Sequence, residues 1–390
     1  MATYMAEHWI SIKETILKRE YRFSPVKRVE ISKPNGGVRK LGIPTVVDRT
    51  IQQAIVQVLT PIFEEEFQPY SYGFRPSRSC EHAVLQLTEY LNEGHEWIVD
   101  IDLEKFFDNV PQDKLMSYVG RVIKDPDTES LIRKYLKSGV MSKGAYEATD
   151  KGTPQGGNLS PLLSNVMLNE LDKELQKRGQ KYVRYADDCI IAVKSKASAN
   201  RVMFSIIEWI ELKLGLKVNT EKTHICRPSK LKYLGFGFYK DAQSLKWTSR
   251  PHEDSFQKFK RNLKKMCKRS WSISMKTRIA KLNPIIRGWV NYFSISKMKK
   301  KIAVIDEHLR TMLRKVIWKQ WKTPQRRAWG LRKLGVNNDL AKSTSYIGRR
   351  YEWVVRRTCV VRAISKSVLA RKGLVSCLDY YIERHALKTN

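Results

Sequence analysis

The chain has 390 residues, with 73 Lys and Arg against 39 Asp and Glu, for a formal net charge of +34. It holds no run of 18 apolar residues, and its first residues are amphipathic and of mixed charge, which excludes a membrane-spanning helix and a signal peptide and points to a soluble, cytoplasmic protein. The six cysteines (Cys80, Cys189, Cys226, Cys267, Cys359, Cys377) include no C-x-x-C pair, which argues against a zinc knuckle or disulfide framework and fits a reducing compartment.

Taken in chain order, the pattern predicts a short helix over 4–18 and a hairpin over 26–43 that turns at Asn35-Gly36-Gly37. Helices follow near 48–66 and 79–93, separated by the Pro/Gly-marked segment Tyr70 to Pro76. Trp97 to Leu103 reads as a strand, with Trp97, Val99, Ile101 and Leu103 on one face and Asp100 and Asp102 on the other. Helices near 111–122 and 126–138 precede the loop Gly152 to Ser160, which feeds a helix over 161–178 closed by Gly179. Tyr182 to Val193 forms two β-rich runs meeting at Asp187-Asp188, followed by a long helix over 197–214 and a β-rich stretch over 230–248.

Beyond residue 250 the pattern is helical and basic: 35 basic and 8 acidic residues lie in 251–390, leaving a net +7 for residues 1–250. Helices are predicted near 253–268, 275–294 (kinked at Pro284) and 302–320, then a helical stretch over 323–390 punctuated by Gly330, Gly335, Gly348 and Gly373. Six of the ten tryptophans, Trp271, Trp289, Trp318, Trp321, Trp329 and Trp353, fall in this part. A basic surface interleaved with aromatic rings suits a phosphate backbone and its bases. Domain boundaries are placed near 250 and 321, and the fold class is α+β.

The acids carry the chemistry. Carboxylates from two separate strands converging on one point suit a hard divalent cation, Mg²⁺ or in its place Mn²⁺, and two such ions are the standard device for phosphoryl transfer onto a hydroxyl. Asp102, Asp187 and Asp188 are the ligand set, with the Leu103 carbonyl added and Asp100 read as a capping or salt-bridging residue. On this reading the chain is a nucleic-acid polymerase.

In the loop Lys151 to Pro161, Gly156 and Gly157 admit close backbone approach and Gln155 can hydrogen-bond a sugar or base, just ahead of a helix N-terminus. Lys33 and Arg39 flank the first hairpin turn and could grasp one triphosphate. One of Phe106 and Phe107 belongs to the core; a ring at Phe107 would stack under the incoming sugar and reject a 2′-hydroxyl. Lys222 is a candidate proton donor to the departing pyrophosphate.

These motifs resemble a reverse transcriptase of the group II intron type, an intron maturase. The matching stretches are Lys33 to Pro44, Tyr72 to Pro76, Asp100 to Asp108, Gly152 to Gly157 with Leu159-Ser-Pro161, Tyr185-Ala-Asp-Asp188 and Tyr233-Leu-Gly-Phe236. Arg287-Gly-Trp-Val-Asn-Tyr-Phe293 resembles the thumb, domain X, and 318–385 the basic tail of members without a nuclease.

The resemblance implies a right-hand polymerase: fingers and palm over 1–250, a helical thumb over 251–320 and a basic DNA/RNA-binding tail over 321–390. It maps the metal ligands onto Asp102, Asp187 and Asp188, triphosphate contacts onto Lys33 and Arg39, and the incoming nucleotide onto Gln155 and Phe107. Tyr233, Leu234, Gly235 and Phe236 would grip the primer, and Arg287, Trp289, Arg326 and Arg327 are the RNA-contact candidates. The implied partners are an RNA template, a DNA primer, deoxynucleoside triphosphates, the host intron RNA and a target DNA, with monomer and dimer both open.

Two departures are expected to matter. Family members carry an additional N-terminal block before the Lys33 hairpin, whose end is all that Met1 begins within, and no Cys/His nuclease follows the tail. A second reading is an RNA-binding splicing cofactor with a vestigial polymerase site; a third is a related reverse transcriptase co-opted for antiviral defence. The retained acids, Gln155 and the Lys33/Arg39 pair argue against decay.

Overall fold

The computed structural model describes residues 2–32 and 36–389, which fall into two compact units, Met1–Pro228 and Ser229–Asn390. Lys33, one of the triphosphate candidates, lies outside the described residues.

The first unit opens with α1 (Ala2–Leu17) and the antiparallel pair β1 (Val26–Ser32) and β2 (Val38–Ile43), in which Ile31 faces Arg39. Next comes α2 (Val46–Glu66), capped by Thr45 Oγ1 accepting from the Asp48 N–H. Then come α3 (Cys80–Asn92), β3 (Trp97–Ile101), α4 (Phe106–Asn109), α5 (Gln112–Val122) and α6 (Pro126–Leu136). Two three-residue strands, β4 (Val140–Ser142) and β5 (Ala145–Glu147), extend the first sheet to the order β2-β1-β4-β5, with β4 parallel to β1. Runs of three residues are too short to show alternation, so the sequence pattern does not announce them.

After α7 (Ser160–Lys177), β6 (Lys181–Tyr185) and β7 (Asp188–Val193) form the predicted Asp-Asp hairpin, followed by α8 (Lys196–Trp209), a π-helical turn over Ile210–Leu214 and β8 (His224–Cys226). The second sheet runs β6-β7-β3-β8, all antiparallel. One face of it is apolar by strict alternation: Val99 and Ile101 of β3 and Cys189, Ile191 and Val193 of β7 pack into a core with Leu163, Met167 and Leu171 of α7 and Ile206 of α8. Alternation therefore turns the even-numbered residues of both strands, the acids among them, away from that core.

The second unit begins with the hairpin β9 (Phe236–Lys240) and β10 (Trp247–Pro251). This hairpin belongs with the helices that follow: Phe236 packs on Tyr292 and Phe293, and the Gly235 carbonyl accepts from the His252 N–H at 2.9 Å. The compact units accordingly divide after Pro228, ahead of the composition change near 250. The helices are α9 (Glu253–Met266), α10 (Met275–Tyr292), α11 (Lys299–Gln320), α12 (Pro324–Lys333), α13 (Asn338–Ser345), α14 (Tyr351–Val354), α15 (Thr358–Ala363), α16 (Lys366–Arg371) and α17 (Cys377–Thr389). Asp306 of α11 accepts from the Cys377 N–H at 2.7 Å, capping α17 across the fold. Gly330, expected as punctuation, lies inside α12, where a Cβ would sit 2.6 Å from the Trp321 ring. The gap that Gly330 leaves is filled by indole.

Candidate functional site

The register of β3 on β7 sets Asp100 opposite Ile190 and Ile101 opposite Cys189. Continued by one residue, it brings Asp102 opposite Asp188, and Asp187 occupies the turn beside it. The acids of two strands thus meet on the face away from the core. Burial raises the pKa of Asp187, with Asp102 adding to it, and pushes Asp188 up to about 6, with the charges of Asp187, Asp100 and Asp102 adding to the effect of burial. Asp100, across from His224, is also pushed up to about 6 by burial; it is neither a helix cap nor part of an ion pair among the described residues.

A cation is already drawn to this cluster: Lys222 Nζ stands 3.3 Å from Asp102 Oδ2 and 3.4 Å from Oδ1. The chain positions Lys222 by stitching its segment to the end of β3. Asn219 N–H donates to the Asp102 carbonyl at 2.8 Å, Asp102 N–H donates to Thr223 Oγ1 at 3.2 Å, and Leu103 bridges Val218. With the side chain 62% exposed, the Lys222–Asp102 pair adds little stability, and its meaning is positional. Among the described residues no three His, Cys, Asp or Glu side chains stand close enough to hold a metal as they are. The donor set nonetheless fits hard divalent ions: all-oxygen, mutually repelling, partly desolvated and already attracting an ammonium group.

The turn between β6 and β7 is held from behind by a group the sequence analysis missed. Arg184 is fully buried, and its guanidinium donates to both Asp172 carboxylate oxygens (2.8 Å to Oδ1, 2.5 Å to Oδ2), to Asn165 Oδ1 (3.1 Å), to Ser71 Oγ (2.8 Å) and to the Ala186 carbonyl (2.8 Å). That last bond fixes the residue before Asp187, whose φ of 57° lies in the left-handed region that non-glycine residues avoid. A signal was present in the sequence. Arg184 shares the core-facing parity of Tyr182 on its strand, and Asp172 falls at a core position of its helix together with Leu168 and Leu175. Two opposite charges on apolar faces predict a buried pair.

Gly73 closes the other side of the turn: a Cβ there would lie 2.2 Å from the Ala186 nitrogen. Backbone cannot yield as a flexible side chain does. Gly73→Ala is expected to displace the Asp187 turn, costing about 1–3 kcal/mol as overpacking does and reducing any activity of the site by more than the stability loss explains. Thermal melting and a rate assay on the same preparation check this.

Gly156 and Gly157 of the 152–160 loop are required by the protein's own packing. Gly42 N–H of β2 donates to the Gln155 carbonyl at 2.6 Å, and a Cβ on Gly156 would lie 2.4 Å from the Gly42 carbonyl oxygen. A Cβ on Gly157 would lie 2.1 Å from the Tyr135 hydroxyl. The loop is thereby tied to the first hairpin, whose Arg39 is near enough to Asp187 to favour its charged form. Phe106 is the core ring, 2% exposed, and leaves Phe107 half-buried beside it.

In the second unit, Tyr233 to Phe236 forms a tight turn with Leu234 at φ 49° and Gly235 at φ 81°. Tyr233 and Phe236 are buried, and the Leu234 carbonyl accepts from the Tyr292 hydroxyl at 2.9 Å. Of the four RNA-contact candidates, Arg287 and Arg326 are exposed. Arg327 is not available to a ligand: it is 6% exposed, lies over the Trp318 ring and donates to the Ser345 and Lys322 carbonyls. Trp289 is half-buried and stacks on Phe259 at 4.3 Å within an aromatic cluster, so one face of its ring is taken up by the unit's own packing. Trp318 is fully buried, and of the six tryptophans beyond residue 250 only Trp329 (57%) and Trp353 (50%) are strongly exposed.

Comparison with known proteins agrees with the geometry. Residues 31–238 match the reverse transcriptase (RNA-dependent DNA polymerase) family, and residues 256–335 match the group II intron, maturase-specific domain. The chain is 35% identical over 252 residues to Protein YkfC of Escherichia coli, covering 55% of this chain and 66% of that protein. It is 33% identical over 282 residues to the group II intron-encoded protein LtrA of Lactococcus lactis, covering 55% of this chain and 47% of that one. The chain thus spans about half to two thirds of the length of these relatives. Among solved structures, apo telomerase from Candida tropicalis superposes with a TM-score of 0.51 at 13% identity, over 97% of this chain and 71% of that one, a likeness of fold. No helix among the described residues is long and apolar enough to cross a membrane.

Proposed function

The chain belongs to the reverse transcriptase (RNA-dependent DNA polymerase) family, and we propose that it extends a DNA primer on an RNA template by two-metal nucleotidyl transfer. The observation that carries this is the β3–β7 register, which continued by one residue sets Asp102 across from Asp188, with Asp187 in a turn anchored by buried Arg184. Asp102, Asp187 and Asp188, with the Leu103 carbonyl, would hold two Mg²⁺ ions. When bound, such ions make a primer 3′-hydroxyl a competent nucleophile and neutralise charge on the triphosphate.

The chain's own residues supply the rest. Arg39, whose charge reaches Asp187, and Lys33 would offer positive charge to the triphosphate, and Lys222, bonded to Asp102, would give a proton to the pyrophosphate as it leaves. Phe107 and Gln155 line the incoming nucleotide, and Tyr233 to Phe236 contact the primer. We assign fingers and palm to 1–250, thumb to 251–320 and a basic tail to 321–390. The match to the maturase-specific domain supports intron RNA binding and splicing assistance, and insertion into a target DNA is the further part of this proposal.

The deciding experiment is extension of a DNA primer annealed to an RNA template with Mg²⁺ and deoxynucleotides. Absence of product alongside tight RNA binding would leave the splicing-cofactor reading in its place.

The raised carboxylates give a pH prediction. Because the folded-state pKa of Asp188 lies near 6, above its ordinary 3.8, the ionised site without metal is a liability that appears as pH rises through about 6. Below that pH protons occupy the site and compete with Mg²⁺. Mg²⁺ is therefore expected to raise the melting temperature clearly at pH 7.5 and little at pH 5. An equal shift at both would refute the assignment of these acids as ligands.

A further inference from the structure

Two adjoining open cavities in the second unit, of about 550 and 500 Å³, share Arg269 and Tyr351. Three segments far apart in sequence wall them: the turn after α9 with Lys268 and Arg269, the last turn of α11 with Lys319, and the run from Arg349 to Trp353. Tertiary contacts hold the third wall to the second, since Trp318 Nε1 donates to the Gly348 carbonyl at 3.0 Å. The cations here are gathered by the fold, not by the spacing of one helix.

Lys268, Arg269, Lys319, Arg349 and Arg350 are all exposed, and among the described residues none of them forms an ion pair. The one carboxylate in the lining, Glu352, is bonded to Lys315 and also feels the charges of Arg356 and Arg269, so its single charge offsets only a part of theirs. Aromatic faces stand among these charges. Arg269 lies over the Tyr351 ring at 4.3 Å, and Arg357 lies over the Trp353 ring at 3.9 Å with that indole half exposed. Gathered, uncompensated cations raise the local positive potential and call for an anion. An isolated phosphate or an acidic peptide would use the charges and leave the rings idle, whereas an unpaired nucleotide uses both, phosphate on guanidinium and base on ring.

We propose that this pocket binds an unpaired nucleotide of a single strand, with its phosphates on Arg269, Arg349 and Arg350 and its base stacked on Tyr351 or Trp353. The proposal rests on the nucleic-acid reading above and deepens it. It assigns a discrete site that joins residues of the maturase-specific match to a run beyond that match.

The test is fluorescence anisotropy of the full chain with oligonucleotides of about 12 nucleotides, within the length a single-strand site spans, as RNA and as DNA, single-stranded and as blunt duplex. Arg349→Glu/Arg350→Glu and, separately, Tyr351→Ala are each expected to weaken single-strand binding by roughly ten-fold and to erase the preference over duplex. The same charge change on the exposed α11 lysines, Lys299→Glu/Lys300→Glu, is expected to cost less than about two-fold. The arm that loses more, RNA or DNA, identifies the strand. Equal losses at both charge-reversal pairs with no effect of Tyr351→Ala would overturn the pocket in favour of diffuse attraction. Photocrosslinking of a strand carrying 5-iodouracil should label Tyr351 or Trp353; labels confined to other segments would also overturn it. A wild-type chain that passes these tests but extends no primer would refute the polymerase reading and leave the pocket standing.

Discussion

Asp187→Ala/Asp188→Ala is expected to lower primer extension by roughly a thousand-fold or more, while affinity for RNA stays within about two-fold. The first figure follows from losing ion-borne stabilisation of transition-state charge, worth several kcal/mol at about ten-fold in rate per 1.4 kcal/mol. The second follows from charge distribution: residues 251–390 carry net +27 of the chain's +34. The variant also relieves the folded protein, because Asp187 and Asp188 both have pKa values raised by burial and by neighbouring acids. Its melting temperature without metal at pH 7.5 should therefore match or exceed that of the wild type. A parallel loss of RNA affinity would show that the acids serve binding, and retained extension would remove them from the catalytic site.

Asp172→Ala is expected to destabilise the first unit by about 3–5 kcal/mol, because it leaves the Arg184 guanidinium buried with its main partner gone. For a unit of this size that corresponds to a fall of about 10 °C in melting temperature. The double variant Asp172→Leu/Arg184→Met removes the buried charge altogether and should recover much of the stability. It should not recover primer extension, because nothing then donates to the Ala186 carbonyl to hold the turn that presents Asp187. Stability regained without activity would establish Arg184 as a positioning residue; activity regained with stability would reduce it to a structural one.

The elements that carry the site were legible in the sequence because each is announced by a local rule. Period-two alternation marks Trp97 to Leu103 as a strand with Asp102 off its apolar face, and β-rich composition marks the two runs of Tyr182 to Val193 that meet at Asp187-Asp188. The helices over 46–66, 160–177 and 299–320 are long and periodic, the first capped by Thr45 and the second started by Pro161, and they end within a few residues of their predicted bounds. What escaped has no local signature. The β4–β5 pair is too short to alternate, and β4 joins its sheet only through parallel pairing with β1, more than a hundred residues away. Composition also overstated the nucleic-acid surface, since it counts Arg278, Arg314 and Arg327 with the exposed cations. All three are buried and donate to carbonyl oxygens.

By itself, then, the sequence determined the family, the α+β class and the asymmetry of charge, and it nominated the three aspartates, because these depend on residue identity and short-range spacing. Only the tertiary structure decided which charges are surface and which are scaffold, and that the loop glycines serve close contacts with Gly42 and Tyr135. It alone showed that Arg184, Asp172, Asn165 and Ser71 together hold the Asp187 turn. The reason is physical: burial and pairing are properties of residues distant in the chain and adjacent in space, and no period along one strand or helix encodes which segment will come to lie against it.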